Sequence, residues 1–376
     1  MLHPDVDGHG NDGTGRDAVP SPVGPPARPS GLTGWRSYGC FVISEASRRR
    51  RLHKHRLRHL RNAAVACAIV AAVAVAVWAV LRVDTPSPDD QLGPLPGPMP
   101  AAVATTPPTA PTSSPGPAAN TPLVRLAVLG DAGTREAMQA KVAAQIAAAD
   151  RQGRPFGALL ITGDLIYEEG EADLTEASVV RPYASTFTKT EIIAAIGNHD
   201  IESDESDEIM QHLGRPGPVY VQDVGPVRVI SLDSNNVSSA QTEWLSSVLD
   251  QPRPANSWVI VILHHPPFSS GRHGSEESVR RAWVPLFARH GVNLVLAGHD
   301  HSYERTKPQS GVTYIVSGGG GKELYDVGRS SFTATSAKKH HFVDLTVFAR
   351  EIQGRAIDSN GQVFDTFVIP LEDSAN

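Results

Sequence analysis

Four short apolar runs in this chain end on a glycine, followed at once by a side chain able to hold a cation. They are Leu-Ala-Val-Leu-Gly before Asp131, Leu-Leu-Ile-Thr-Gly before Asp164, Ile-Ile-Ala-Ala-Ile-Gly before Asn198 and His199, and Val-Leu-Ala-Gly before His299, with His301 two residues further on. A fifth run, Val-Ile-Val-Ile-Leu, ends directly on His264. Runs of this length and composition read as buried strands. In α/β folds the carboxyl ends of strands form the usual ligand crevice. One Gly-Asp pair is an ordinary turn, but five such strand ends in one chain are hard to obtain from packing alone. The glycines are expected to allow the tight turn that aims the next side chain into the crevice.

Asp, Asn and His make a hard-to-borderline donor set, suited to Fe, Mn or Zn rather than to thiolate-selected metals. There are more candidates than one tetrahedral ion uses. That points to two metals ~3.5–4 Å apart, which activate a water and clamp a transferring phosphoryl group. The two cysteines, Cys40 and Cys67, exclude a Cys-rich zinc module and a disulfide-framed domain. The net charge of −6 conceals an asymmetry. Residues 1–62 carry eleven Lys/Arg against five Asp/Glu, and residues 123–376 carry 22 against 32. An acidic folded part is a poor footprint for nucleic acid, so no nucleic acid-binding surface is expected.

The chain divides into four parts. Residues 1–62 are Gly-, Pro- and Asp-rich, then strongly basic, and read as a disordered cytoplasmic segment. Ala63 to Leu81 run for 19 residues without a charge. A hydrocarbon core needs about 20 apolar residues, so this run is read as one transmembrane helix, with the arginine block before it held inside. A cleavable export signal competes with that reading, because Ser47-Arg48-Arg49-Arg50-Arg51-Leu52 resembles a twin-arginine motif. On either reading the remainder is exported, which for an uncleaved anchor means a single-pass protein of the cell membrane with its catalytic domain outside. Residues 82–122 form a Pro-rich linker, with twelve prolines between Asp84 and Pro122, expected to be an extended spacer. Residues 123–376 are the folded domain.

Within it, strands are expected at 123–130, 156–163, 191–197, 219–224, 227–233, 258–264, 292–297, 313–317, 342–350 and 362–369. Helices are expected at 136–150, 240–249 and 276–290. Strand-helix alternation followed by strands implies a mixed sheet or two packed sheets.

The combination of Gly130-Asp131, Gly163-Asp164, Gly197-Asn198-His199-Asp200, His264-His265-Pro266 and Gly298-His299-Asp300-His301 resembles the calcineurin-like metallophosphoesterases, in that family's order. Gly163-Asp164-Leu165-Ile166-Tyr167, His299-Asp300-His301-Ser302-Tyr303-Glu304-Arg305 and the strand and glycine turn from Tyr314 to Gly321 look like the purple acid phosphatase branch. The resemblance implies an α/β fold of two mixed β-sheets packed face to face and flanked by helices. It implies that Asp131, Asp164, Tyr167 and His301 hold Fe(III), that Asp164 bridges, and that Asn198, His264 and His299 complete a second site for Fe, Zn or Mn. His199 and His273 would be the catalytic histidines facing phosphate or leaving group. Asp200 departs from the Glu usual in that branch, and linker stands where the large plant-type enzymes have a β-sandwich.

Other residues are expected in lesser roles. His265 is read as structural or rim-facing, His212, His290, His340 and His341 as outside the site, and Tyr303 and Arg305 as packing and pairing beneath the metal-binding loop in a supporting role. Tyr167 could also simply cap its loop. The activity implied is hydrolysis of a phosphate monoester by attack of a metal-bound hydroxide. The same centre also suits a phosphodiesterase on nucleotides or lipid headgroups, and a non-catalytic surface-displayed binding module is the reading from another class.

If 63–81 is an uncleaved anchor, the mature protein keeps its basic N-terminus and sediments with membranes. N-terminal sequencing of the exported protein checks this. A soluble product beginning beyond residue 81 means a cleaved signal instead.

Overall fold

The computed structural model describes residues 121–254 and 257–371. The segments expected at 1–62 and 63–81 lie outside these residues, as does all of the 82–122 linker except its last two residues. Among the described residues no helix is long and apolar enough to cross a membrane.

Among the described residues thirteen strands form two mixed sheets. In the first, β1 (Val124–Leu129), β2 (Ala158–Thr162) and β3 (Ile192–Ala195) run parallel. On its other side β1 pairs antiparallel with β11 (His341–Val347), followed by β12 (Glu351–Asp358) and β13 (Val363–Pro370). The second contains β4 (Tyr220–Val224), β5 (Val227–Ser231), β6 (Trp258–Ile262), β7 (Leu294–Ala297), β8 (Tyr303–Thr306), β9 (Thr313–Ser317) and β10 (Thr333–Ala337), in the order β10-β8-β9-β7-β6-β5-β4. Parallel neighbours need crossovers, and helices supply them. Helix α1 (Ala137–Gln152) joins β1 to β2, α3 (Ser239–Leu249) joins β5 to β6, and α4 (Glu277–Arg289) joins β6 to β7. A seven-residue α2 (Ser206–His212) lies between β3 and β4.

Period-2 alternation in β6 divides its side chains between two cores. Trp258, Ile260 and Ile262 join Leu126, Leu160 and Leu345 of the first sheet in the core between the sheets. Val259, Val261 and Leu263 pack with Leu245 of α3 and with Trp283 and Phe287 of α4. β6 is therefore apolar throughout because both its faces are buried.

Strands β8, β10 and β12 and helix α2 were not anticipated. β8 is Tyr-Glu-Arg-Thr, and it is a strand because partners satisfy its charges. Tyr303 Oη and Arg305 Nε each donate to Asp365 on β13 at 2.7 Å. These two residues were expected to pair in a supporting role, and their pairing ties one sheet to the other. β12 carries Gly354, where a Cβ would fall 2.0 Å from the Phe367 ring of β13, so the ring covers the glycine. The expected 342–350 strand stops at Val347, and the chain turns back into β12.

His341 gives the fold a pH dependence. It is fully buried on β11, where Nδ1 donates to the Lys339 carbonyl at 2.8 Å and Nε2 accepts from Ser317 Oγ at 3.1 Å. Burial foremost pushes its pKa down to about 4, against ~6.5 in an unfolded chain. The unfolded protein therefore binds a proton between those values that the native ring refuses. The contribution is intact above pH ~6.5, and up to about 3 kcal/mol is lost as pH falls to about 4. Denaturant unfolding at pH 7 and pH 4.5 should show a smaller loss for His341→Gln than for wild type. Equal losses would remove His341 from this account.

Candidate metal centre

The parallel strands of both sheets deliver their carboxyl ends to one place. Asp131 follows β1, Asp164 and Tyr167 follow β2, Asn198 and His199 follow β3, His264 follows β6, and His299 and His301 follow β7. The turns do not work as the glycines suggested. Asp131, Asp164 and His299 themselves have left-handed φ values of 56°, 51° and 71°, which costs a non-glycine residue on the order of 1–3 kcal/mol. Of the preceding glycines only Gly163, at φ 94°, shares that conformation. The other three are required by crowding. A Cβ would lie 2.1 Å from Thr162 Oγ1 at Gly130, 2.1 Å from Asp164 Oδ1 at Gly197, and 2.4 Å from Asp131 Oδ2 at Gly298.

All seven expected ligands come together. Tyr167 Oη donates to Asp164 Oδ2 at 2.7 Å and lies 3.4 Å from Asp131 Oδ1 and 3.2 Å from His301 Nε2. On the other side, Asn198 Oδ1 is 3.0 Å from His264 Nε2 and 3.1 Å from His299 Nδ1. Asp164 reaches both groups, since its Oδ1 is 3.4 Å from His264 Nε2. Two histidines have their second nitrogen committed: His264 Nδ1 donates to the Thr162 carbonyl at 2.9 Å, and His301 Nδ1 to the Glu323 carbonyl at 2.7 Å. That fixes the Nε2 lone pair of each neutral ring toward the cluster, the arrangement found behind metal-ligating histidines.

The electrostatics fit cations. Asp131 and Asp164 are 0% and 2% exposed. Burial raises the pKa of Asp131. Burial also opposes ionisation of Asp164, but the charges of His264 and His199 outweigh it and leave that group lowered. Burial, then the Asp131 and Asp164 charges, hold the Tyr167 phenol well above its ordinary range. His264 Nε2 faces the Asn198 oxygen at 3.0 Å. Buried carboxylates are costly without a cation, and a metal among these donors would complete them. Ligand atoms of Asp131, Asp164 and His264 all fall within 4.8 Å of one another, as do those of His264, His265 and His299. The donor set fits two ions.

His199 and His273 border this cluster. His199 Nδ1 donates to the Glu168 carbonyl at 2.6 Å, and its ring lies 4.6 Å from that of Tyr167. The exposed ring of His273 lies 4.4 Å from that of His299. His265, expected to be structural or rim-facing, is half-buried with Nδ1 2.9 Å from Ser234 Oγ. Lys322 pairs with Glu168 and sits 4.6 Å from the Tyr167 ring centre, and Tyr325 stacks on His301 at 4.2 Å.

Several supports were not anticipated. Asp200 accepts from the backbone N–H of Leu165, Ile166 and Gly197, binding the β2 and β3 loops together, and burial with the Asp164 charge pushes its pKa up to about 7. Asp300 accepts from Ser269 Oγ and from the His273 N–H. Glu304 accepts from the Ser270 N–H at 2.6 Å and from Ser270 Oγ at 2.8 Å, so the loop carrying His273 is held by two buried acids. Asp300 lies between His299 and His301 in the motif, and that position was the one available signal.

Residues 124–303 match the calcineurin-like phosphoesterase family. Among curated relatives, purple acid phosphatase 21 of Arabidopsis thaliana is 31% identical over 199 residues, covering 45% of this chain and 44% of that protein. Tartrate-resistant acid phosphatase type 5 of Homo sapiens is 26% identical over 239 residues, covering 53% and 74%. The chain thus spans less than half the length of the Arabidopsis relative. Two solved structures share the fold. The yellow lupin purple acid phosphatase PPD1 superposes with a TM-score of 0.56 at 22% identity, covering 66% of this chain and 53% of that one. GAP50, the anchor in the inner membrane complex of Plasmodium, gives 0.59 at 16% identity, covering 67% and 90%.

Proposed function

We propose that this chain, which matches the calcineurin-like phosphoesterase family over residues 124–303, hydrolyses phosphate monoesters at a dinuclear metal centre. The carrying observation is Asp164, whose two carboxylate oxygens face different groups, Oδ2 toward Tyr167 and Oδ1 toward His264. In this reading Asp131, Asp164, Tyr167 and His301 hold a first ion, and Asp164, Asn198, His264 and His299 a second. The phenolate oxygen beside two carboxylates suits a hard ion such as Fe(III), and the nitrogen-rich half suits Fe, Zn or Mn. Bound there, the ions supply a low-pKa water and neutralise phosphoryl charge.

The chain's own residues supply orientation and the proton. The Glu168 carbonyl holds His199 through Nδ1, so a protonated ring presents Nε2–H. That proton can pass to the leaving alkoxide, a general-acid step. His273, on a loop fixed by Asp300 and Glu304, faces the substrate side. Asp200 uses its carboxylate entirely on backbone N–H groups and keeps the two loops in register. That the Arabidopsis and human relatives are named acid phosphatases supports the monoester. The Plasmodium neighbour is named an anchor, which is the other class of role. Against that reading here, every expected ligand position is filled and the donor atoms converge.

The test is spectroscopic. Phenolate bonded to Fe(III) gives a visible charge-transfer band. Iron-loaded, oxidised protein should be coloured, and Tyr167→Phe should bleach it while keeping the ring's packing. Wild-type protein that takes up two equivalents of iron without colour would reduce Tyr167 to a loop residue.

A further inference from the structure

Among the described residues, one histidine beside the centre is used neither by the ligand set nor by the two catalytic positions. His265 follows His264 directly, and its ring lies 4.4 Å from that of His299 and 5.0 Å from that of His264. One of its nitrogens is within 4.8 Å of a ring nitrogen on both neighbours. Distance alone would admit it as a further ligand of the second ion, so the position of its proton decides what it can do.

Ser234 fixes that proton. This buried hydroxyl accepts from the His264 N–H at 3.2 Å and the His265 N–H at 2.9 Å. A hydroxyl oxygen has two lone pairs and one hydrogen. Both lone pairs are therefore taken by backbone, and the hydrogen goes to the remaining neighbour, His265 Nδ1 at 2.9 Å. An Nδ1 that accepts leaves the ring's proton on Nε2. A nitrogen that carries a proton cannot ligate a metal, but it can donate to an anion. The ring is half-buried and lies beside those of His264 and His299.

We propose that His265 is a phosphate-positioning residue: Ser234 locks the proton on Nε2, and that N–H donates to a non-bridging oxygen of the phosphoryl group on the second-ion side. The inference rests on the phosphoesterase reading and extends it to a third histidine that neither ligates metal nor delivers the leaving group's proton. It also explains why Ser234, 30 residues from His264 in sequence, is buried against this one peptide segment.

The experiment measures inorganic phosphate affinity by calorimetry and metal content by elemental analysis, on the full chain loaded with metal. His265→Phe keeps a ring and removes the donor. It should bind phosphate about tenfold more weakly, as expected for losing one hydrogen bond to a charged group, and should keep both metal equivalents, with KM rising more than kcat falls. Ser234→Ala should weaken phosphate in the same direction, and Ser234→Thr, which keeps the hydroxyl, should restore it. Loss of one metal equivalent in His265→Phe would make His265 a ligand and overturn the proposal. Unchanged phosphate affinity with both metals present would overturn it too. If His265→Phe does not fold, the Ser234 pair decides, and equal affinity in Ser234→Ala and Ser234→Thr is the contrary result. Wild-type protein that binds no metal would instead sink the underlying phosphoesterase reading.

Discussion

Three carboxylates, those of Asp131, Asp164 and Asp200, are buried around the same strand ends, and holding them there shapes the loops around them. Each is compensated differently. Asp200 is enclosed by backbone N–H groups of two loops. Asp164 accepts from the His199 N–H and from the Tyr167 hydroxyl, and Asp131 from the His299 N–H. The last two keep lone pairs directed at histidine nitrogens and a phenol, a charge distribution that a cation completes. The left-handed backbone at Asp131, Asp164 and His299 is what turns these side chains inward.

The two sheets make this geometry rigid. The loops that carry the clustered side chains come from both, so any slip between sheets would separate donors within each half of the centre. Asp365 on β13, gripped by Tyr303 and Arg305 on β8, joins the sheets at one edge, and the core between β2, β11 and β6 fills the middle. His264 itself crosses the gap, donating from the second sheet's loop to the Thr162 carbonyl of β2. Hydrogen-bonded ligands on strand ends, packed on both sides, lose little freedom when substrate arrives.

The side chains that converge here were legible in the sequence as candidates because metal chemistry demands particular side chains at strand ends. A glycine before four of them marked where each strand stopped. The role of those glycines was not legible. A pattern of Gly-Asp fits either a turn or a close approach, and only the contacts of Gly130, Gly197 and Gly298 separate the two. The supports escaped for a different reason. Ser234, Asp300 and Glu304 act on residues brought close by folding, and apart from the place of Asp300 between His299 and His301 nothing in their local sequence marks them as supports. β8 and β10 escaped because their polar side chains carry no apolar alternation.

The proposed centre joins seven side chains around two ions, with Asp164 shared between its halves. The most direct test is to strip the purified full chain of metal and follow aryl phosphate hydrolysis while metal is returned by equivalents. A shared-carboxylate centre predicts little turnover after the first equivalent and a rise that saturates at two. Full activity at one equivalent, or activity indifferent to metal, would contradict it.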